Sequence, residues 1–264
     1  MTADGPRILL GVSLKMYFSH AHTLEWAHSV SRILSASPAV TQGLIEFFVV
    51  PTYPALREVV QILQPNPVGA QNVASTEQGA FTGEVSAAEL AEIGVSMVEI
   101  GHAERRSLLG ETDADIAAKC SLVMRHGMTP IICVGEAAPG NSDDAASVVV
   151  SQVDAALALV KEQASTARVV VAYEPHWAIG AQHPAPAEYV RKVCGTAKDE
   201  LTSRYQNLVL LYGGSAGPGT LNSLCNTVDG LFLGRFVHDP RNVSRVIDEA
   251  TNLIEQSHTA SMTN

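Results

Sequence analysis

The segment VVVAYEPHWAIGAQ, Val169–Gln182, carries the strongest local indication of the fold. Its apolar run, Val169–Tyr173, predicts a strand that is buried on both faces, as in a parallel sheet. The strand leads directly into Glu174, whose position at a strand end makes it a candidate general base. Stiff Pro175 and conformationally free Gly180 then predict a closing lid that excludes water from a reactive intermediate. The alternative interpretation is a solvated glutamate before an ordinary turn.

Further apolar runs occur along the 264 residues, with helical patterns between them. The eight predicted strands are Ile8–Val12, Ile45–Val50, Val68–Ala70, Met97–Ile100, Pro130–Val134, Val169–Tyr173, Leu208–Tyr212 and Gly230–Gly234. Eight βα units in roughly 250 residues predict an α/β fold of the closed (β/α)8, or TIM barrel, type. An open doubly wound sheet is the alternative, but the place of its GxGxxG fingerprint holds SLKMYF. We expect one barrel domain over residues 1–256 and a short polar tail over residues 257–264.

Two polar residues are predicted to begin helices. Thr112 precedes a helical pattern that runs through His126 and is followed by Gly127, a typical helix stop. Ser86 precedes a short helical segment with Glu89 three residues later, as in a capping box. Both helices would lie between strands, as a barrel of βα units requires.

The bulk composition limits the classes of function. A net charge of −10 argues against nucleic acid as a partner, although a local site for an anionic ligand remains compatible with it. The four cysteines lie far apart and form no CxxC pair, so neither a zinc site nor a redox pair is expected. The first residues, MTADGPR, do not resemble a secretory signal, and no apolar run is long enough for a membrane span. We therefore expect a cytoplasmic protein with reduced thiols and no membrane partner.

Chemically useful residues follow several predicted strands, and the active site of a (β/α)8 barrel lies at the carboxyl ends of its strands. Lys15 follows the first strand and can stabilise a phosphate or an oxyanion, although a lone lysine is usually solvated. His102 follows the fourth and can polarise a carbonyl, although a lone histidine is more often structural. The turn Gly213–Ser215 follows the seventh, and its backbone N–H groups can hold phosphate oxygens. Together with Glu174, these residues predict one site at the barrel mouth.

This set of residues describes one type of reaction without a metal or a cofactor, and we expect neither. Glu174 would remove a proton from a carbon beside a carbonyl. Lys15 and His102 would stabilise the enediolate oxygens, and the proton would return to the neighbouring carbon. The predicted activity is the isomerisation of a small sugar phosphate.

Four motifs, in order and spacing, resemble those of the triosephosphate isomerase family over essentially the whole chain. They are GAFTGEVS (Gly79–Ser86), IGHAERR (Ile100–Arg106), AYEPHWAIG (Ala172–Gly180) and YGGS (Tyr212–Ser215). The resemblance implies that Glu174 is the catalytic base, and this family is itself a standard example of a glutamate base beside a neutral histidine. It also implies that His102 and Lys15 are catalytic electrophiles and that Glu104 lies near Lys15 and supports it. The loop over residues 71–86 resembles the family's dimer-interlocking loop and implies a homodimer.

The resemblance further implies a site for the substrate and its phosphate. The implied residues are Ser13, Lys15, Gly180, Ser215, Gly234 and Arg235. Ser13 stands where the family usually has asparagine, and Ala103 stands where it usually has serine, so we expect more room beside the reacting carbons. The loss of the asparagine amide also removes a hydrogen-bond donor for the family's usual substrate.

Further departures from the family's pattern lie in two loops. Arg235 replaces a glycine, so we expect a displaced loop backbone with the guanidinium on a phosphate or a substrate hydroxyl. The alternative is an arginine that faces solvent or pairs with Asp239. His176 and Gln182 replace a valine and a glycine in the lid, where they either reflect a different substrate or contact only solvent.

A roomier pocket with intact catalytic residues suggests a substrate one carbon longer than a triose phosphate. The segment GLFLGRFVHDP, Gly230–Pro240, resembles the branch of the family that isomerises a tetrulose phosphate in erythritol and threitol breakdown. The resemblance implies conversion of L-erythrulose 1-phosphate to D-erythrulose 4-phosphate. The alternatives are an ordinary triosephosphate isomerase and a barrel that binds a sugar phosphate without turnover. The presence of Lys15, His102 and Glu174 argues against the second alternative.

Overall fold

The computed structural model describes residues 8–179, 184–224 and 226–262, and its centre is a ring of eight parallel strands. The strands are β1 (Ile8–Ser13), β2 (Ile45–Val50), β3 (Gly69–Ala70), β4 (Met97–Ile100), β5 (Thr129–Val134), β6 (Val169–Tyr173), β7 (Leu208–Tyr212) and β8 (Gly230–Leu233). They pair in the order β2-β1-β8-β7-β6-β5-β4-β3, and a parallel bridge between Val49 and Val68 brings β2 against the residue before β3. The (β/α)8 barrel is therefore confirmed, and the doubly wound alternative is wrong.

Helices lie between successive strands and pack against the outer faces of the ring. They are α1 (His20–Ala36), α2 (Pro38–Thr41), α3 (Leu56–Leu63), α4 (Ala87–Glu92), α5 (Ala103–Leu109), α6 (Asp113–Arg125), α7 (Ser142–Ala156), α8 (Lys161–Ala164), α9 (Ala187–Thr202), α10 (Thr220–Ser223) and α11 (Pro240–Met262). Short 3-10 helices at Tyr53–Ala55, His176–Ala178 and Arg235–His238 follow β2, β6 and β8. Residues 257–262 of the expected polar tail belong to α11. Within the described ranges, no helix is both long and apolar enough to cross a membrane.

The two predicted helix starts are confirmed. The hydroxyl of Thr112 accepts a hydrogen bond from the N–H of Asp115 at 3.2 Å, and the carboxylate of Asp115 accepts one from the N–H of Thr112 at 3.0 Å. Ser86 accepts a hydrogen bond from the N–H of Glu89 at 3.1 Å at the start of α4. Gly127 follows α6 with a φ of 73°, as expected of a helix stop. Each side-chain cap contributes about 1 kcal/mol to the stability of its helix.

Strand side chains alternate between two buried layers, one inside the ring and one beneath the helices. The interior layer consists of Leu9, Phe48, Val50, Met97, Ile131, Cys133, Val170, Ala172, Leu211 and Phe232. Gly11 also belongs to this face, and a Cβ there would lie 2.1 Å from the ring of Phe48. The interior is thus filled by side chains, which leaves the mouth of the barrel as the place for a site. Cys120, Cys133 and Cys194 are buried free thiols, and Cys225 lies outside the described residues.

Candidate active site

A cavity of about 460 Å³ opens where the strands end at their carboxyl termini. Residues that follow β1, β4, β6, β7 and β8 all contribute to its lining, as the barrel geometry predicts. The residues predicted from the sequence that line it are Ser13, Lys15, His102, Glu104, Glu174, Ser215, Gly234 and Arg235. Gly180 and Gln182 lie outside the described residues. The fold therefore brings residues from five loops into one site.

Glu174 follows β6 directly and is almost completely buried, with 6% of its surface exposed. Its backbone N–H donates to the carbonyl oxygen of Val134 at 2.8 Å, which extends the pairing with β5 to this residue. Two neighbouring glycines leave space for Glu174 because they lack a Cβ atom. A Cβ at Gly135 would lie 1.9 Å from the carbonyl oxygen of Glu174, and a Cβ at Gly213 would lie 2.8 Å from its Oε1. The barrel thus holds the carboxylate in one place at the cavity wall.

His102 caps α5, and its ring lies between the backbone of that helix and Glu174. Nδ1 accepts a hydrogen bond from the N–H of Glu104 at 3.1 Å, and Nε2 lies 3.3 Å from Oε2 of Glu174. Burial lowers the pKa of His102, whereas the hydrogen bond and the charge of Glu174 raise it, to about 9. The contact at Nδ1 opposes this protonation, because that nitrogen needs its lone pair to accept the N–H. We therefore assign the neutral ring with its proton on Nε2.

Lys15 has an uncommon backbone conformation, with a φ of 47°. The Nε2 atom of Gln71 donates to the carbonyl oxygens of Lys15 at 3.0 Å and Val50 at 3.2 Å, which ties the loops after β1 and β3 together. Nζ of Lys15 lies 2.7 Å from Oε1 of Glu104. Burial lowers the pKa of Lys15, but the hydrogen bond to Glu104 and the charge of Glu174 raise it above its usual value. The site therefore contains a fixed ammonium charge.

The loops after β7 and β8 form another wall of the cavity. The turn Gly213–Ser215 lines it, and a Cβ at Gly214 would lie 2.3 Å from the hydroxyl oxygen of Tyr212. This position therefore needs a glycine because the backbone approaches the tyrosine closely. Arg235 opens the 3-10 helix after β8, and its guanidinium carbon lies 6.0 Å from the centre of the Tyr17 ring.

Asp239, the alternative partner that the sequence suggested for Arg235, pairs with another arginine. Oδ2 of Asp239 lies 2.6 Å from Nη2 of Arg241, and no carboxylate in the described part of the chain pairs with Arg235. The interpretation in which Arg235 pairs with Asp239 is therefore wrong. Arg235 is exposed and lines the cavity, so its guanidinium is available to an anion there.

Comparison with known proteins agrees with this geometry. The model of the triosephosphate isomerase family matches residues 8–250 of the chain. The chain belongs to the triosephosphate isomerase family. An L-erythrulose-1-phosphate isomerase from Pectobacterium atrosepticum is 45% identical to it over 255 residues, which cover 95% of this chain and 98% of that protein. Proteins of the same name from Rhizobium etli and Brucella abortus are 36% and 39% identical, over 95% and 86% of this chain and 95% and 90% of their own.

In this member of the triosephosphate isomerase family, the described start of the predicted lid is fixed to a carboxylate that sequence reasoning missed. Glu136 follows β5, and its Oε1 accepts hydrogen bonds from Trp177 Nε1 at 2.7 Å, Tyr189 Oη at 2.9 Å and Tyr173 Oη at 3.2 Å. His176 donates its backbone N–H to the carbonyl oxygen of Glu136 at 3.0 Å. The His176 ring is half-buried rather than fully solvated, and burial lowers its pKa. The only signal for this anchor in the sequence is a lone glutamate after a strand end.

Ser13 also has a partner that sequence reasoning missed. Its Oγ donates to Oε2 of Glu99 at 2.9 Å, and both buried residues line the cavity. Glu99 lies on β4 two residues after Met97, so strand alternation directs both toward the barrel interior. Burial raises the pKa of Glu99, against the opposing influence of the hydrogen bond from Ser13 and the charge of Lys15. The space that the sequence predicts beside Ser13 therefore contains a second carboxyl group. The sequence indicated this group only by a glutamate inside the apolar strand MVEI.

Proposed function

We propose that this protein converts L-erythrulose 1-phosphate to D-erythrulose 4-phosphate, with Glu174 as the base and His102 and Lys15 as electrophiles. The observation that carries the proposal is the 3.3 Å approach of Glu174 Oε2 to His102 Nε2 in a cavity that also holds charged Lys15. The choice of substrate is supported by relatives named L-erythrulose-1-phosphate isomerase that align over 95% of the chain.

The reaction exchanges a carbonyl and a hydroxyl between the two central carbons of the sugar. The Glu174 carboxylate takes the proton from the hydroxyl-bearing carbon, and the freed electron pair forms the double bond of an enediolate. The Nε2–H of His102 and the ammonium of Lys15 stabilise the negative oxygen. A proton then moves between the two oxygens, and Glu174 returns its proton to the former carbonyl carbon. No atom is gained or lost.

Neighbouring residues support this chemistry by fixing the electrophiles. Glu104 binds Lys15 through its carboxylate and orients His102 through its backbone N–H. The phosphate would lie against the N–H groups of Gly213–Ser215, with the exposed guanidinium of Arg235 beside it. Gly234 lines the same wall, and Gly180 is expected to complete it from the lid.

A panel of substrates tests the proposed reaction. Purified protein is offered L-erythrulose 1-phosphate, D-erythrulose 4-phosphate and glyceraldehyde 3-phosphate, and kcat/KM is measured for each. We expect the tetrulose phosphates to be the better substrates. Faster turnover of the triose phosphate would identify an ordinary triosephosphate isomerase, and tight binding without turnover would identify a sugar-phosphate-binding protein.

A substitution of the base tests the proposed roles. Glu174→Asp withdraws the carboxylate by about one methylene, and a displacement of about 1 Å costs on the order of 10²-fold in rate. Glu162→Asp, on α8 away from the cavity, is the matched control and should retain wild-type turnover. A near-normal rate in Glu174→Asp would remove Glu174 from the role of base.

The homodimer and the cytoplasmic location expected from the sequence remain part of this proposal. Met16 and Phe81 are large apolar side chains with 90% and 50% of their surface exposed, and Phe81 lies on the loop over residues 71–86. Because Gln71 ties that loop to Lys15, a partner covering Phe81 would also steady the catalytic lysine. Light scattering on the purified protein should give twice the mass of one chain, and Phe81→Ser should lower it if this surface is the interface.

A further inference from the structure

The interior layer of the barrel is apolar except at its upper end, where Glu99 and Ser13 face one another. Glu99 pairs in register with Ile131 and Ser13 with Val50, and both of these partners belong to the interior layer. Only 3% of Glu99 is exposed. Removing a carboxyl group from water is unfavourable unless its oxygens find partners. A glutamate without a functional role would lower the stability of the barrel here, whereas a valine or an isoleucine would fill the same position without that cost.

The hydrogen bonds of Glu99 are incomplete. Ser13 Oγ donates to Oε2 at 2.9 Å, and no other hydrogen bond reaches the carboxyl group from the described residues. Oε1 therefore has no protein partner in the described part of the chain, on a residue that lines the cavity. Because Glu99 lines the cavity, a ligand bound there can supply the missing hydrogen bond. The pair can both donate and accept, which matches a hydroxyl group.

The pair is also close to the catalytic groups. Glu99 lies on β4 three residues before His102, which follows that strand, and Ser13 lies two residues before Lys15. The charges of Glu174 and Lys15 both act on the Glu99 carboxyl group. Burial raises the pKa of Glu99, and in the protonated form it would not repel the negative enediolate beside it.

A tetrulose phosphate carries a group that a triose phosphate lacks. The reacting carbon farther from the phosphate bears a hydroxymethyl group in the four-carbon sugar and only a hydrogen in that place in the three-carbon sugar. The phosphate occupies one end of the chain, at the loops after β7 and β8, so the hydroxymethyl group lies at the opposite end, beyond the catalytic groups. Glu99 lies on β4, four strands from β8 in either direction around the ring, and it meets Ser13 on β1, the strand that pairs with β8.

We propose that the Ser13–Glu99 pair binds the terminal hydroxymethyl group of the substrate and so selects a tetrulose phosphate over a triose phosphate. This assignment rests on the function proposed above. Glu99 is a specificity-determining residue in this scheme, since the proton transfers themselves belong to Glu174. The hydroxyl of the substrate completes the hydrogen bonds of the carboxyl group, and a substrate without that hydroxyl leaves them unmade.

The test is the selectivity ratio, kcat/KM for L-erythrulose 1-phosphate divided by kcat/KM for glyceraldehyde 3-phosphate. Glu99→Val removes the polar group, and we expect the ratio to fall by at least about tenfold, because a site built for a hydroxyl discriminates strongly against its absence. Glu99→Gln keeps a donor and an acceptor and should restore most of the ratio. Met97→Leu, on the same strand and the same interior face, is the matched control and should leave the ratio unchanged.

Binding of phosphoglycolate, a small anion without a hydroxymethyl group, shows whether each variant still forms the site. We expect calorimetry to give similar affinities for the wild type, Glu99→Gln and Glu99→Val. If Glu99→Val does not fold, Ser13→Ala takes its place, with a fall in the same ratio expected. Equal losses on both substrates, or an unchanged ratio, would overturn the assignment of the pair. Failure of the wild type to turn over either tetrulose phosphate would instead overturn the proposed function.

Discussion

Gly213 creates the space for Glu174, so its replacement by alanine moves the proposed base without removing it. A Cβ at residue 213 would lie 2.8 Å from both Cγ and Oε1 of Glu174. Non-bonded heavy atoms prefer separations of about 3.5 Å, so the carboxylate must shift by roughly 0.7 Å. A shift approaching 1 Å costs on the order of 10²-fold in rate. This corresponds to about 2.7 kcal/mol of the activation barrier.

Turnover of L-erythrulose 1-phosphate by Gly213→Ala is the assay, together with a thermal melt to confirm that the variant folds. Gly195→Ala is the control, because Gly195 lies within α9 and, among the described residues beyond its own stretch of helix, a Cβ there meets no atom within 4 Å. The control should retain full turnover and gain about 0.5–1 kcal/mol of stability. A folded Gly213→Ala that keeps more than about one third of the wild-type kcat would refute the claim that the position of Glu174 limits the rate.

Three further predictions concern the lid, the phosphate and the buried carboxyl group. Trp177→Phe removes the indole N–H that donates a hydrogen bond to Glu136 at 2.7 Å. We expect the unfolding free energy, measured in urea, to fall by about 1 kcal/mol, and we expect kcat to fall as well. No change in either quantity would contradict the role of Glu136 as an anchor. Arg235→Ala should raise KM by about tenfold and reduce its salt dependence, because the exposed guanidinium would no longer meet the phosphate; an unchanged KM would place Arg235 outside the site. Burial raises the pKa of Glu99 in the folded protein above its unfolded value of 4.5. The contribution of Glu99 to stability is therefore fully present below pH 4.5 and is lost as the pH rises through the pKa of the folded state. Urea unfolding should therefore show Glu99→Gln gaining stability over the wild type between about pH 4 and about pH 8, whereas parallel pH profiles would contradict the raised pKa.

The barrel and the gathering of the proposed catalytic residues at its mouth were predictable from the sequence because their signals are local. Continuous apolar runs such as Val169–Tyr173 mark strands buried on both faces, and the structure has that strand with the predicted bounds. Once eight such strands alternate with helices, the barrel rule places Lys15, His102 and Glu174 at one mouth. The structure brings all three to the same cavity.

The residues that were missed depend on contacts between distant parts of the chain. Glu136 accepts its hydrogen bonds from residues 37 to 53 positions away, and Ser13 meets Glu99 across 86 positions. A single glutamate in a strand or after it does not reveal such a partner. The alternative in which Arg235 pairs with Asp239 was wrong for a local reason. Arg241 lies two residues from Asp239 and donates to its carboxylate.

The most direct test of the central claim is the position of deuterium in the product formed in D₂O. L-erythrulose 1-phosphate is incubated with the wild-type protein, and the D-erythrulose 4-phosphate is examined by proton NMR and mass spectrometry. The proton held by Glu174 can exchange with D₂O before it returns, so the mechanism predicts that all solvent deuterium in the product lies on the hydroxyl-bearing central carbon and none in either CH₂ group. Deuterium in the terminal hydroxymethyl group would indicate a ketose–aldose reaction instead. An absence of D-erythrulose 4-phosphate after the incubation would contradict the proposed isomerisation.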